Sequence, residues 1–237
     1  NAAMAEQLTL FKADLDKELE KGKELNVAIM DTLKPIIANV LDVICFDGNG
    51  YSQEWEKEAL GRGLDVETSV PEMITVFTRP QSVKMFTSMG VYTEKELQAR
   101  NEVKWETYSK KVQIESRVMV RMAINHVIPA ALEYKGKLLE DVARYKEVFG
   151  DTEGCATEVK LIADITRFVE EVRLRADAMR EDRKKANVIT DEYLKAKAYH
   201  KIAEDLYALS RPIDKLEEIV DNNMWPMPKY RELLFIS

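Results

Sequence analysis

The sequence predicts an all-α protein: a helical bundle with a long antiparallel helical hairpin and an extended apolar C-terminal tail. Three observations carry this. Glycine and proline number only 9 and 7 among 237 residues, well below the roughly 12% that the two make up in average proteins, so turns are few and elements long. Apolar residues recur at steps of three and four along most of the chain, which places them on helical faces. Helix-start signals precede several of these runs, as in Thr93 with Glu96 and Ser69 with Glu72, both at capping-box spacing.

Met4, Leu8, Phe11, Leu15 and Leu19 define the first helix, and Gly22 suits a left-handed stop. Leu25 to Leu33 continues in helical style, Pro35 is expected to interrupt it, and Ile36 to Phe46 reads as a further helix. The run Asp47-Gly48-Asn49-Gly50-Tyr51-Ser52 supplies a turn, with Ser52 capping a helix through Trp55 and Leu60 that Gly61 and Gly63 end. Ser69 and Glu72 open a short helix to about Thr78, with Pro71 tolerated in its first turn. Pro80 starts another, closed by Gly90.

Thr93 opens a long helix to Ile128 whose apolar residues cover more than one face, so it is expected to be central and the most buried. Pro129 should kink it, with helix resuming to Gly150. Thr157 to Ala186 carries a narrow seam through Val159, Ile162, Val169, Val172, Ala176 and Met179. A return helix from Thr190 to Leu209 answers with Tyr193, Ala196, Tyr199, Ile202 and Leu206. Pro212 should start a separate last helix around Leu216 to Val220, and Trp225-Pro226-Met227-Pro228 forces an extended tail with Tyr230, Leu233, Leu234 and Phe235, expected to dock. The expected division is 1–46, an N-terminal pair of helices, and 47–237, a helical domain.

The net charge of −7, from 35 basic and 42 acidic residues, opposes general attraction to nucleic acid or anionic lipid. No apolar run is long enough to span a membrane. Two cysteines and two histidines leave no disulfide framework and little imidazole for metal or catalysis. Cys45 and Cys155 read as core or near-core thiols. No export signal is visible, and a cytoplasmic protein is the expectation. A chain that starts at Asn1 inside an amphipathic pattern is expected to be a piece of a longer polypeptide.

Candidate sites reduce to structure one by one. Asp47, Asn49 and Glu58 match positions one, three and twelve of an EF-hand loop, but Tyr51 and Ser52 replace the position-five ligand and the required glycine. His126 and His200 lack the Glu three residues earlier that di-iron bundles use. Phosphate-cradle and nucleophile-elbow motifs are missing. Glu115 and His126 share a face with Tyr108, Met119 and Met122 but lie about 16 Å apart along a helix, which favours satisfied polar groups in a helix interface. The basic cluster Arg173, Arg175, Arg180, Arg183, Lys184 and Lys185 interleaves with Asp177, Glu181 and Asp182, as expected for a solvated, paired tip. No catalytic, cofactor-binding or metal residue is assigned.

Three segments carry a family resemblance: Phe46-Asp47-Gly48-Asn49-Gly50-Tyr51-Ser52 with Trp55, Tyr108-Ser109-Lys110 with Ile114-Glu115, and Trp225-Pro226-Met227-Pro228-Lys229-Tyr230 with Leu233-Leu234-Phe235. They resemble the C-terminal third of type III glutamine synthetases, and the likeness covers essentially the whole chain. Asn49 and Lys229 depart from the family pattern, where an acidic and a small hydroxyl residue are common. The resemblance implies a parent enzyme that joins ammonia to glutamate with ATP through γ-glutamyl phosphate, using magnesium or manganese ions held by carboxylates. It places the catalytic strands upstream of Asn1, with none of the metal, ATP or glutamate motifs in this chain. The implied partners are the upstream catalytic domain of the same polypeptide and other subunits of a homo-oligomer, with no nucleic acid and no membrane. The competing reading is an independent helical protein-interaction module.

Overall fold

The computed structural model describes residues 1–234, whose regular elements are all helical, with no strand among them. The chain forms two compact units, 1–103 and 104–237. The expected docking of Phe235 lies outside the described residues.

In the first unit, α1 (Ala2–Glu20) and α2 (Leu25–Ile44) pack on each other across a turn at Gly22, whose φ of 79° is left-handed. Pro35 does not interrupt α2. A proline inside a helix removes one backbone bond and costs ~3 kcal/mol, and here the seam with α1, where Ala28 and Thr32 are buried, outweighs it. Lys23 ties the pair together by bridging Glu18 at 2.7 Å and Asp31 at 2.6 Å.

The Asp47–Ser52 turn closes on itself. Asn49 accepts from the Tyr51 N–H at 3.0 Å through its side chain and from Ser52 at 3.1 Å through its backbone. Gly48 sits at φ 153°, where a Cβ would come within 2.8 Å of the Phe46 ring. Ser52 Oγ caps α3 (Gln53–Gly61) by accepting from the Trp55 N–H, and Phe46 stacks on Trp55 at 3.9 Å. α4 (Val70–Thr75) runs into a tighter turn at Val76–Thr78, and α5 (Pro80–Ser88) ends at a left-handed Gly90. The expected Ser69 cap is not formed. Its side chain makes no capping bond, and its N–H goes to the Glu67 carboxylate at 2.8 Å, a nearer acceptor in the same turn.

α6 (Glu94–Met122) does open with the Thr93–Glu96 box: the Thr93 N–H donates to Glu96 and the Glu96 N–H to Thr93 Oγ1. Within the first unit, Asn101 on this helix is 1% exposed and donates to the Ile74 carbonyl at 2.9 Å, which anchors α4.

In the second unit α6 passes through a wide π-turn at Ala123–Val127 into α7 (Ile128–Phe149), followed by α8 (Ala156–Asn187) and α9 (Glu192–Ile219). The π-turn sits one turn ahead of Pro129, where an ordinary turn would drive the ring into a carbonyl. α8 packs on both α7 and α9, and residues 188–191 join it to α9, whose N-terminus Asp191 caps through the Leu194 N–H at 2.8 Å. Ile165, Val172, Ala176 and Met179 meet Tyr199, Ile202, Leu209 and Leu216 in one core. Val159, placed in the seam from the sequence, is 44% exposed.

Pro212 does not start a new helix either: it is buried inside α9, which continues to Ile219. Core packing again outweighs the lost backbone bond. Cys45 corrects the thiol reading, for it is exposed while Cys155 is buried. Nor is the second-unit part of α6 buried all round. Val112 and Val120 are in the core, but Ile114, Val118 and Met122 are 62%, 49% and 38% exposed.

Candidate functional site

Those exposed residues of α6 line an apolar groove of the second unit. It is an apolar depression of about 560 Å³ running from α6 and the π-turn across α9 to the segment after Trp225. Three sequence features build it. Ile114, Val118 and Met122 are spaced four apart and form a second apolar stripe on α6, beside the buried one. The opposite wall is the outer face of α9, where Ser210, Ile213, Asp214 and Glu217 follow helical spacing. Trp225 and Met227 form the third side and are held there because Trp225, 6% exposed, is anchored in the core.

Lys229 fixes this last wall. Its side chain is 8% exposed, and its ammonium donates to the carbonyls of Glu217 at 2.6 Å and Val220 at 2.7 Å, the orphan acceptors at the end of α9. The Tyr230 N–H then donates to the Glu217 carboxylate at 2.8 Å, and the Lys229 N–H to Glu232 at 3.1 Å as α10 (Tyr230–Leu233) begins. Beyond it Tyr230, Leu233 and Leu234 are 64%, 63% and 78% exposed. Trp225 and Lys229 hold the segment after α9, while its last described apolar residues stay exposed.

Carboxylates dominate the polar part of the groove. Burial, reinforced by the neighbouring Glu217, raises the Asp214 carboxyl above the usual range, and the Asp214 charge in turn raises the Tyr230 phenol. Glu115 lines the same groove, whereas His126, on the π-turn, is exposed and outside it. The expected interface pair is therefore two separate surface groups. The other histidine, His200, is half-buried against Tyr108 with Nδ1 2.7 Å from the hydroxyl. In the basic cluster Arg173, Arg175, Arg180, Lys184 and Lys185 each bridge a carboxylate on their own helix, as the spacing indicated. Arg183 is different: it is half-buried, and desolvation lowers its pKa.

The first unit presents a surface of another kind. No residue of α1 is buried, and Met4, Leu8 and Leu10 are more than half exposed. On α2 Leu25, Met30, Ile37, Leu41 and Ile44 are likewise 51% exposed or more. Sequence periodicity identified the α1 stripe but assigned the run after Pro35 no exposed face.

A family model described as the glutamine synthetase C-terminal domain matches residues 28–146, half of the chain. The chain belongs to that family. Curated relatives extend the match to the rest of this glutamine synthetase C-terminal domain. A glutamine synthetase of Bacteroides fragilis (strain YCH46) is 42% identical over 99% of this chain, covering 33% of its own length. One from Butyrivibrio fibrisolvens is 28% identical over 97%, and a type-3 glutamine synthetase of Dictyostelium discoideum 25% identical over 100%. The chain spans about a third of the length of these relatives.

Among the described residues of this family member, no group of three or more His, Cys, Asp or Glu side chains is placed to hold a metal ion. The divalent metal implied by the type III resemblance thus has no fitting donor set among these described residues. No helix among the described residues is long and apolar enough to cross a membrane.

Proposed function

We propose that this chain is the C-terminal portion of a type III glutamine synthetase, where it acts as scaffold and contact surface and carries no catalytic, cofactor-binding or metal residue. The parent enzyme would join ammonia to glutamate at the expense of ATP, through γ-glutamyl phosphate, with magnesium or manganese held by carboxylates elsewhere in the polypeptide. Residues 1–46 would adjoin the upstream catalytic domain, and 47–237 would form the helical domain that meets other subunits of a homo-oligomer in the cytoplasm. In this reading α8 and α9 make a long antiparallel hairpin that stiffens the domain, and the segment from Trp225 is an extended apolar tail docked on it. The four-residue link between the two helices and their shared core support the hairpin.

The observation that carries the proposal is the exposed apolar face of α1 and α2. Large side chains such as Leu8, Ile37 and Leu41 are more than half open to solvent, and contiguous patches of this kind mark surfaces that a partner covers. The exposed residues of α2 from Met30 to Ile44 lie within the family match.

Two measurements test it. Incubation of the 237-residue chain with ATP, glutamate, ammonium and magnesium should release no phosphate above a blank. Glutamate-dependent turnover that survives a check for host enzyme would place catalytic residues in this chain and end the proposal. Oxidative footprinting should find Met4 and Met30 reactive in the isolated chain and protected in the polypeptide its gene encodes. Equal reactivity in both would favour the alternative, an independent helical interaction module.

A further inference from the structure

The groove of the second unit is lined mostly by apolar side chains, with three carboxylates among them. Met119, Met122 and Met227 are among its lining, and unbranched thioether side chains adapt to whatever is seated on them. Glu115, Asp214 and Glu217 stand along the groove, and no Lys, Arg or His is among its lining residues. One oxygen of Glu217 is engaged by the Tyr230 N–H. Glu115 forms no ion pair among the described residues.

We infer that this groove docks a basic amphipathic helix from a partner polypeptide, with two apolar side chains one turn apart on the methionines and a Lys or Arg beside Glu115 and Asp214. The volume of about 560 Å³ suits a few side chains, and an open trough between helices suits the helix-in-groove mode of recognition. Charge selects among the occupants. A cation relieves the crowded, partly desolvated carboxylates, whereas an anionic lipid surface is repelled by them. The remaining residues of the chain, Phe235, Ile236 and Ser237, offer apolar groups but no basic side chain. A second copy carries a net charge of −7, and most of its basic cluster is already paired within α8. This inference rests on the groove alone and goes beyond the synthetase reading.

The test uses the 237-residue protein with its methionine methyl groups labelled for NMR. The probe is a synthetic peptide of roughly 15 residues, long enough to hold a helix, with Leu at helical spacing and flanking Arg. Resonances of Met119, Met122 and Met227 should shift while those of Met4 and Met30 stay. Affinity should fall about tenfold in the Glu115→Gln, Asp214→Asn double variant and fall with salt in the unaltered protein. A peptide with Glu in place of Arg should not bind. Absence of shifts at the three methionines overturns the inference, as does equal affinity for peptides carrying Arg, Gln or Glu. So does binding that appears only after residues 235–237 are removed, because the groove would then belong to the chain's own tail.

Discussion

The Tyr108 hydroxyl and Nδ1 of His200 lie 2.7 Å apart and share a hydrogen bond between α6 and α9. The helices are 92 residues apart in sequence at this point, and both groups are half-buried. Burial first, then the charges of Glu115 and Glu204, raise the Tyr108 phenol above its usual pKa, and burial does the same to Tyr199.

An alkaline weakness results from that burial. A phenol whose folded pKa exceeds its unfolded value of ~10 stabilises the fold fully below that pH and loses the contribution as pH rises through the folded value. Denaturant titrations should show stability falling above pH ~10. Tyr108→Phe should lower stability by about 1 kcal/mol at neutral pH and flatten the alkaline fall. A variant whose alkaline limb matches the parent would contradict this.

Lys229→Met should destabilise by about 2–3 kcal/mol, because the stem is kept while the Glu217 and Val220 carbonyls lose a charged donor and stay buried. Trp225, whose ring centroid lies 5.9 Å from the ammonium, should report the change as a red-shifted emission. An unchanged midpoint would mean that water satisfies those carbonyls without cost.

The α8–α9 core and the basic tip should respond very differently to substitution. Met179 is 2% exposed, so Met179→Asp buries an unpaired charge and should cost more than about 3 kcal/mol. Arg183→Ala should cost under about 1 kcal/mol, since its guanidinium is partly desolvated and forms no ion pair among the described residues. Thermal denaturation of both variants decides the matter, and similar losses would contradict the core assignment.

Gly154 is a tighter constraint than its neighbours. A Cβ built there would fall 2.5 Å from the Tyr145 ring and closer still to its hydroxyl. Gly154→Ala should therefore cost about 1–2 kcal/mol by forcing that ring off its packing on Phe149, 4.4 Å away. Gly136→Ala, which meets nothing within 4 Å inside α7, serves as control and should be neutral or stabilising.

Local chemistry was legible in the sequence, and tertiary competition was not. Thr93 with Glu96 and Ser52 with Trp55 each depend on residues within four positions, so spacing alone located them. Pro35 and Pro212 were misread for the same reason in reverse: their penalty is local, whereas the α1 seam and the α9 core that outweigh it come from elsewhere in the chain. The Ser69 side chain made no cap, and its N–H went to Glu67, an acceptor that the capping-box pattern does not count. The groove was hidden because its walls come from three separated stretches, near Ile114, Asp214 and Trp225. The one available hint was that α6 carried more apolar residues than a single buried face needs.

The π-turn at Ala123–Val127 also bears on how this chain can change length. A wide turn of this kind absorbs one extra residue without rotating the helix beyond it, so Val120 before it and Ala131 after it still reach the same core. Elsewhere in these helices, loss of one residue would swing every later side chain by about 100°. Here it would convert the wide turn to an ordinary one and leave the downstream register intact. That shortening would, however, press the Pro129 ring against the carbonyl four residues earlier. A homologue one residue shorter at this point is therefore expected to carry something other than proline at the position of Pro129, so that length and residue identity change together.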